Sequence, residues 1–260
     1  MDDAVAFLDA DAAALYDLVN PWDPARWPGD GFYDELVMAA GSVLDVGCGT
    51  GAMLHLAREH GHSGRLVGLD PDRAALGRAR RRADIEWVEG TAASARWDAV
   101  FDLATMTSHA FQCLVTDAEL RASLAAVHAA LRGGGRFAFE TRHPQARAWE
   151  HWNPSHVFDI VDATGRNLRL WHETESVVGD VVTFTGTTAA ADGTVLRTDR
   201  TSLRFLDEAT LDGFLAEAGF TIEARYGAWD GGPVTAASRE IITIARRRRL
   251  GGERPPRRRT

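Results

Sequence analysis

The sequence predicts an α/β fold, in which a doubly wound parallel sheet carries a small inserted antiparallel β-sheet. The first observation is that short apolar segments and helical segments alternate five times between residues 43 and 140, with short connections. This alternation is typical of parallel strands joined by helices. The second observation is that residues 155–206 contain only β-branched or alternating segments, separated by hairpin turn signals such as Gly179-Asp180 and Asp192-Gly193.

The composition is that of a soluble globular protein. The chain has 260 residues, of which 45% are hydrophobic and 25% charged, and no apolar run approaches the ~20 residues of a membrane helix. It begins with the acidic Met1-Asp2-Asp3, where a secretory signal would be basic, so we expect a cytoplasmic protein that does not enter membranes. Cys48 and Cys113 form no CxxC pair, which predicts neither a zinc site nor a disulfide framework.

Charge is distributed unevenly along the chain. All 29 basic residues are arginines, and eight of them lie in the last fifteen residues, which leaves 21 arginines against 36 acids and a formal charge of −15 in residues 1–245. An acidic body repels phosphate backbones, so nucleic acid is not expected as a partner. Residues 248–260 form a basic tail with almost nothing to bury. We expect this tail to be disordered, either as a solvated end or as a weak polyanion-binding segment.

Element boundaries follow from the hydrophobic period and from capping residues. Thr116 and Glu119 have capping-box spacing, Pro71 is favoured at the first position of a helix, and Gly133-Gly134-Gly135 is expected to end one. Helices are predicted at 4–19, 30–40, 52–60, from 71 onward, 117–131 and 207–218. Strands are predicted at 43–46, 65–69, 84–88, 98–105, 136–140, 157–161, 169–178, 181–188, 194–205, 220–227 and 240–246.

The most informative motif is a glycine-rich loop after the first predicted strand. Gly47, Gly49 and Gly51 allow a tight turn and a close approach of the backbone to a ligand, and the following helix presents its N-terminal N–H groups to an anion. Asp70, at the end of the second strand, is placed to accept both hydroxyl groups of a ribose. The G-x-G-x-G spacing differs from that of dinucleotide enzymes and of phosphate loops. The alternative is a tight turn that is merely rich in glycine.

Several motifs together resemble the class I S-adenosylmethionine-dependent methyltransferases. The segment Val43-Leu44-Asp45-Val46-Gly47-Cys48-Gly49-Thr50-Gly51 matches their first motif closely, and Gly68-Leu69-Asp70-Pro71 resembles their second. Two further segments resemble parts of the family. Leu131-Arg132-Gly133-Gly134-Gly135-Arg136 resembles the turn before their fifth strand, and Leu215-Ala216-Glu217-Ala218-Gly219-Phe220 resembles the helix-to-strand connection before their last hairpin. The resemblance covers about residues 30–145 and 205–247.

This resemblance implies a Rossmann-like seven-stranded sheet whose last strand is antiparallel. It also implies that the glycine loop holds the methionine end of S-adenosylmethionine and that Asp70 binds its ribose. The family often has an acidic residue where this chain has Thr91, and Tyr16 either caps the cofactor or packs against the first strand. The candidate cofactor-binding residues are Tyr16, Asp45, Gly47, Cys48, Gly49, Gly51, Asp70, Pro71, Gly90, Thr91, Ala92 and Thr105.

The acceptor side is predicted at the carboxyl ends of the fourth and fifth strands, where ligands of open sheets bind. His109 follows the fourth strand, and its imidazole suits removal of a proton from the acceptor; the alternative is a hydrogen-bonded histidine that caps the next helix. Arg142 either binds a substrate carboxylate or pairs with an acid of the inserted sheet. The candidate substrate-binding residues are Gln112, Glu140, Arg142 and His143.

Aromatic residues gather at the start of the inserted sheet. They either wall an acceptor pocket, form the buried face of the sheet, or contact a second copy of the chain in a homodimer. His151 and His156 lack the spacing of zinc ligands, so no metal is predicted. The group comprises Trp149, His151, Trp152, His156, Trp171 and His172.

Together these observations predict an enzyme that moves a methyl group from S-adenosylmethionine to an oxygen or nitrogen of a small, biosynthetic acceptor. The methyltransferase domain is expected at residues 1–154 and 207–247, and the insert, as acceptor lid or dimer contact, at residues 155–206. Two alternatives remain open: a tRNA or protein methyltransferase that uses the arginine tail, and a cofactor-binding protein without methyl transfer. The glycine spacing disfavours a nicotinamide oxidoreductase.

Overall fold

The computed structural model describes residues 7–248, in which the strands form two sheets. In chain order the strands are β1 (Ser42–Val46), β2 (Arg65–Asp70), β3 (Glu86–Glu89), β4 (Phe101–Met106), β5 (Leu131–Arg142), β6 (Phe158–Val161), β7 (Asn167–Val178), β8 (Val181–Ala190), β9 (Val195–Arg204), β10 (Phe220–Tyr226) and β11 (Glu240–Arg247). The larger sheet has seven strands in the order β10-β11-β5-β4-β1-β2-β3. β1 to β5 pair in parallel, whereas β11 runs antiparallel to both β5 and β10. The predicted Rossmann-like sheet with an antiparallel last strand is confirmed.

Six α-helices lie within residues 7–248. They are α1 (Asp9–Val19), α2 (Pro28–Ala39), α3 (Ala52–Glu59), α4 (Arg73–Ala79), α5 (Asp117–Ala130) and α6 (Glu208–Glu217). The predicted capping box of α5 is present, because the Thr116 hydroxyl accepts from the Glu119 amide and the Glu119 carboxylate accepts from the Thr116 amide. None of these helices is both long and apolar enough to cross a membrane.

Three boundary predictions need correction or lie outside the described residues. α4 begins at Arg73 rather than Pro71, because the Asp72 carboxylate accepts from the next two free amides, those of Ala74 and Ala75, and so caps the helix itself. The three glycines at 133–135 do not end α5: the chain is already extended at Leu131, where it pairs with β4. The first residues of the predicted helix 4–19 lie outside the described range.

The smaller sheet is the predicted insert, with strands in the order β6-β7-β8-β9 and every pair antiparallel. Gly165, Gly179 and Gly193 lie in its three turns at φ values of +87°, +61° and +90°, a left-handed conformation that glycine adopts without a Cβ penalty. Each strand ends within a few residues of its predicted limit. Hairpin turn chemistry therefore determined this part of the fold locally.

The core lies on both faces of the larger sheet, because helices cover each face. β1, at the centre, is buried along its whole length. On one face Phe137 and Phe139 of β5 pack with residues of α5 and α6, and on the other Tyr33 and Val37 of α2 pack with Leu54 of α3. Burial of each such side chain contributes about 1.5–3 kcal/mol. This packing fixes the carboxyl edge of the sheet, where the chain forms its loops.

The insert is attached at that carboxyl edge. Gln112, just after β4, donates its amide N–H to the backbone carbonyl of Arg204 at the end of β9, at 3.0 Å. On its other side the insert meets α1 through ion pairs of Arg166 with Asp11 (3.1 Å) and of Arg197 with Asp9 (2.6 Å). The carboxyl ends of β1, β4 and β5 are thus bordered by both α1 and the insert.

Candidate active site

The three glycines of the loop after β1 all have positive φ, but they differ in what surrounds them. A Cβ at Gly47 would lie 2.9 Å from the Ala110 Cβ, and one at Gly51 would collide with the Trp87 ring, so both positions require glycine for packing. A Cβ at Gly49 would meet nothing within 4 Å. Gly49 therefore borders open space at the mouth of the loop, where a ligand can approach the backbone.

Asp70 lies at the end of β2, directly beside this loop. Its two carboxylate oxygens accept from the Gly49 and Asp72 amides, each at 2.7 Å. Burial raises the pKa of Asp70, and the two amide hydrogen bonds oppose that rise. The carboxylate is thereby held at the carboxyl edge with lone pairs remaining for further donors such as ribose hydroxyls.

Asp45, at the carboxyl half of β1, is almost completely buried. Its Oδ1 accepts from the Thr105 hydroxyl of β4 at 2.9 Å. Burial raises the pKa of Asp45 to about 7, against the effect of the Thr105 hydrogen bond. The Cys48 thiol packs with Leu76 of α4, so of the predicted cofactor residues Cys48 is positioned to offer its backbone rather than its side chain.

The segment after β3 lies beside the end of β2. The Gly90 amide donates to the Asp70 carbonyl at 3.0 Å, and Thr91 begins a short 3₁₀ turn in which Ala92 is buried. Pro71 is exposed beside Asp70. These four predicted residues therefore lie together, next to the ribose-binding candidate.

α1 is tied across the glycine loop by Asp17. The Asp17 carboxylate accepts from the Thr50 hydroxyl of the loop and from the Arg78 guanidinium of α4, at 2.7–2.8 Å in the latter case. Tyr16, the neighbouring residue, is about half exposed, and its hydroxyl approaches the Ser108 side chain after β4. Tyr16 therefore lies at the entrance to the carboxyl edge rather than in the core behind β1.

His109 is held on an unusual stretch of backbone. Ser108 and His109 have φ values of +54° and +62°, a left-handed conformation that costs non-glycine residues about 1–3 kcal/mol each. The His109 Nε2 lies 2.9 Å from a carboxylate oxygen of Glu240 on β11, and its amide donates to Glu140 at 2.8 Å. His109 precedes a short 3₁₀ turn, yet its side chain makes no capping hydrogen bond. The imidazole is thus oriented by a carboxylate instead.

Glu140 of β5 is buried, and both of its carboxylate oxygens accept hydrogen bonds from other residues of the chain. One oxygen accepts from the His109 amide and the other from the Tyr33 hydroxyl of α2. Burial raises the pKa of Glu140, whereas His109 and the two hydrogen bonds lower it. The structure places this predicted substrate-binding residue behind His109, where it supports the strained loop.

The remaining predicted acceptor residues connect the two sheets. The buried Gln112 amide oxygen accepts from the Arg142 backbone at 3.1 Å and from its guanidinium at 3.2 Å. Arg142 also lies over the Trp152 ring, 5.5 Å from its centroid. His143 is buried, and its Nδ1 accepts from the Gln145 amide at 3.1 Å. Arg142 is therefore the member of this set whose charged group borders the inserted sheet.

The aromatic residues of the insert divide between its two faces. On the inner face Trp152 packs on Phe184 with ring centroids 4.6 Å apart and on His172 at 6.4 Å, and Trp149 packs on Phe205 at 4.7 Å. Trp171 alternates to the opposite face because it neighbours His172 in β7. His151 and His156 are exposed. Within residues 7–248 no group of three or more histidine, cysteine or carboxylate side chains is arranged to hold a metal ion.

Three residues of the site were not predicted: Glu240, Tyr33 and Asp17. Each acts through a long-range contact, with Glu240 separated from His109 by 131 positions and Tyr33 from Glu140 by 107. A carboxylate at the start of an apolar strand was the sole local signal for Glu240. Sequence spacing cannot pair residues that meet only after the sheet has formed.

The residues at this edge fit a nucleoside cofactor with an amino-acid end. The uncovered Gly49 backbone provides a cradle that a Cβ would fill, and Asp70 provides an acceptor for ribose hydroxyls beside it. Seven strands in this order, with a glycine loop after β1 and an acid after β2, are the arrangement that the resemblance to class I methyltransferases implies.

Comparisons with known proteins agree with this class. Residues 43–135 match a family model described as a methyltransferase domain. The 2-phytyl-1,4-naphtoquinone methyltransferase of Thermosynechococcus vestitus is 32% identical over 135 residues, which is 50% of this chain and 59% of that protein. The cypemycin N-terminal methyltransferase of a Streptomyces species is 26% identical over 92% of this chain and 97% of its own length. Residues 43–135 thus resemble a methyltransferase domain, and both relatives are named as methyltransferases.

A solved structure extends the likeness to the whole fold. The CcbJ methyltransferase of Streptomyces caelestis superimposes with a TM-score of 0.72 at 18% identity, covering 92% of this chain and 98% of that one. At this identity the likeness shows the fold, insert included. It does not identify the methyl acceptor, which has to be inferred from the residues of the site.

Proposed function

We propose that this protein transfers the methyl group of S-adenosylmethionine to an oxygen or nitrogen of a small, biosynthetic acceptor. The observation that carries the proposal is the convergence of the glycine loop, Asp70 and a carboxylate-oriented His109 on one edge of the sheet. A nitrogen acceptor has independent support, since the name of the Streptomyces relative that aligns over most of this chain specifies N-terminal methylation.

The residues divide into a cofactor side and an acceptor side. When bound, the cofactor supplies a methyl group on a sulfonium, which is displaced in line, so the protein has mainly to position the acceptor and accept its proton. Gly49 and Asp70 would hold the cofactor, and Asp45, Thr105 and Tyr16 would border it at the carboxyl edge. His109 removes the proton from a hydroxyl or a protonated amine, and Glu240 orients the imidazole.

The insert at residues 155–206 acts as the acceptor lid in this proposal. Its inner aromatic face borders the carboxyl edge, and the Gln112 bond to the Arg204 carbonyl holds it there. Tyr16 on α1 closes the opposite side. A cytoplasmic location and a monomer or homodimer without nucleic acid are consistent with the acidic body of the chain.

The proposal is tested by incubating the full chain with S-adenosylmethionine and separate pools of small hydroxyl compounds, small amines, tRNA and protein. Formation of S-adenosylhomocysteine together with a methylated small compound is the expected result, and deletion of residues 248–260 should leave it unchanged. Methylation of tRNA or protein that depends on the tail would contradict it. So would S-adenosylhomocysteine binding without turnover in every pool, which would indicate a binding protein.

A further inference from the structure

The acceptor side contains a cation that no carboxylate of residues 7–248 neutralises. The Arg142 guanidinium donates to the Gln112 amide oxygen at 3.2 Å and stacks on the Trp152 ring, and it forms no ion pair in this part of the chain. No acid of the insert, all of which lies within the described residues, is within ion-pair distance of Arg142; Asp162 pairs instead with Arg166 at 2.6 Å, and Asp180 with Arg204 at 2.8 Å. Of the two predicted roles for Arg142, pairing with an acid of the insert is therefore wrong.

The two acids nearest to Arg142 already have partners. Glu240 is opposite Arg142 in the β5–β11 pairing, but its carboxylate bonds the His109 ring at 2.9 Å. Glu140 accepts from the His109 amide and from Tyr33. Burial lowers the pKa of Arg142, and the opposing effect of these two acids is the smaller one. The desolvation of a partly buried guanidinium costs free energy that these two acids offset only in part. Binding of an anion to Arg142 would offset more of it.

Aromatic rings lie beside this cation. Trp152 packs on Phe184 at a tilted angle, and the His172 ring meets Phe184 edge-on. Burial and the Arg142 charge lower the pKa of His172, which favours the neutral imidazole. Cys113 and Tyr16 are also close enough to interact with the guanidinium. The surroundings therefore suit a ligand with one anionic group and a flat or apolar body.

We propose that Arg142 binds an oxyanion, a carboxylate or a phosphate, carried by the methyl acceptor, so that the acceptors of this protein are small anionic compounds. The planar guanidinium matches either group with two parallel hydrogen bonds, while Trp152 and Gln112 keep it oriented. This inference rests on the proposed function, because it places the anion on the acceptor rather than on the cofactor.

The test measures binding without methyl transfer. The full chain is saturated with S-adenosylhomocysteine, and the affinities of benzoate, phenyl phosphate and benzamide are compared by ligand-observed NMR. Benzoate and benzamide share their shape and differ in charge. One of the two anions should bind wild-type protein about tenfold or more tightly than benzamide, as expected for hydrogen bonds to a charged group. Which anion binds better distinguishes a carboxylate from a phosphate.

Two variants complete the test. Arg142→Gln should lose this preference for the anion, whereas Arg147→Gln, an exposed arginine five residues away that pairs with Glu150, should retain it. Equal binding of benzoate and benzamide to wild-type protein would overturn the inference even if Arg142→Gln fails to fold. If Arg142→Gln also binds S-adenosylhomocysteine more weakly, the inference is overturned as well, because Arg142 would then belong to the cofactor site. Methylation of a neutral acceptor, unaffected by Arg142→Gln, would refute the anion site and leave the proposed function standing.

Discussion

At the scale of single residues, the glycine loop combines two different requirements. Gly47 and Gly51 leave no room for a Cβ, since Ala110 and Trp87 already fill the space beside them. Gly49 also has positive φ, which favours glycine, but its surroundings are open, so a Cβ there would be excluded by space only when a ligand is bound. Substitutions in one short motif should therefore affect folding at two positions and cofactor binding at the third.

We predict that Gly49→Ala weakens the binding of S-adenosylhomocysteine about tenfold or more while the protein remains folded. The added methyl group would stand in the cradle, and the backbone penalty of the φ of +54° is only about 1–2 kcal/mol. Isothermal titration calorimetry measures the affinity for S-adenosylhomocysteine. Gly61→Ala is the matched control, since Gly61 has a φ of +88° and also nothing within 4 Å of an added Cβ, but lies away from the site after α3. Equal affinities for the two variants would refute the cradle.

The second prediction concerns the removal of a proton from the methyl acceptor by His109. If the acceptor is a hydroxyl or a protonated amine, His109→Gln should slow methyl transfer by ~10²–10⁴, the usual contribution of a general base. Glu240→Gln keeps a hydrogen bond to the ring and should slow it less, without changing S-adenosylhomocysteine affinity. Full activity of His109→Gln between pH 6 and 8 would reduce His109 to a structural residue.

At the scale of elements, α1 has little to hold it except charge. Of its eleven residues only Ala13 and Leu15 are buried, and Leu18 and Tyr16 are exposed. Its anchors are instead three aspartates that bind arginines of α4 and of the insert, with Asp17 also bound to Thr50 of the glycine loop. A helix held in this way can leave and return at low cost, as entry of a cofactor beneath it requires.

We therefore predict that Asp17→Asn loosens α1 selectively. Loss of a partly buried charged hydrogen bond costs about 1.5–3 kcal/mol, so the amides of residues 9–19 should exchange with solvent at least tenfold faster, as measured by hydrogen–deuterium exchange mass spectrometry. Asp34→Asn on α2, whose carboxylate lies 3.7 Å from the His60 ring, is the control and should leave α1 unchanged. If the amides of α1 exchange at the same rate in wild-type protein and in both variants, apolar packing rather than charge holds the helix.

At the scale of the whole molecule, the buried carboxyl groups beneath the site are expected to contribute a loss of stability as pH rises towards neutrality. Burial raises the pKa values of Asp45, Asp70 and Glu140, all beneath the site. A carboxyl group whose folded pKa is above its unfolded value binds more protons in the folded state, so deprotonation favours unfolding. For Asp45, with a folded pKa of about 7, this loss extends from about pH 4 to about pH 7.

Asp45→Asn should remove the contribution of Asp45 to the pH dependence of the ligand-free protein. The free energy of unfolding of wild-type protein, from urea titrations, should decline by roughly 2–4 kcal/mol from pH 4 to pH 7 through Asp45, since each unit of pKa shift corresponds to about 1.4 kcal/mol. The asparagine can still accept from Thr105. Asp98→Asn, at an exposed aspartate, should reproduce the wild-type slope. A slope in Asp45→Asn as steep as that of wild type would contradict the prediction.

The sequence by itself determined everything in this protein that depends on local chemistry. The alternation of strand and helix, the hairpin turns of the insert and the capping box of α5 all involve residues within a few positions of one another, and the structure has them close to the predicted limits. The glycine loop and Asp70 were predictable because consecutive parallel strands bring β1 and β2 side by side.

Only the tertiary structure decided which distant side chains meet. Glu240 reaches His109 because β11 returns antiparallel beside β5, and Arg142 is left without an acid because Glu240 and Glu140 bond to His109 and its neighbours instead. The order of strands in a sheet and the competition of several donors for one carboxylate are properties of the assembled fold. Spacing along the chain carries no information about either, since the interacting residues lie more than thirty positions apart.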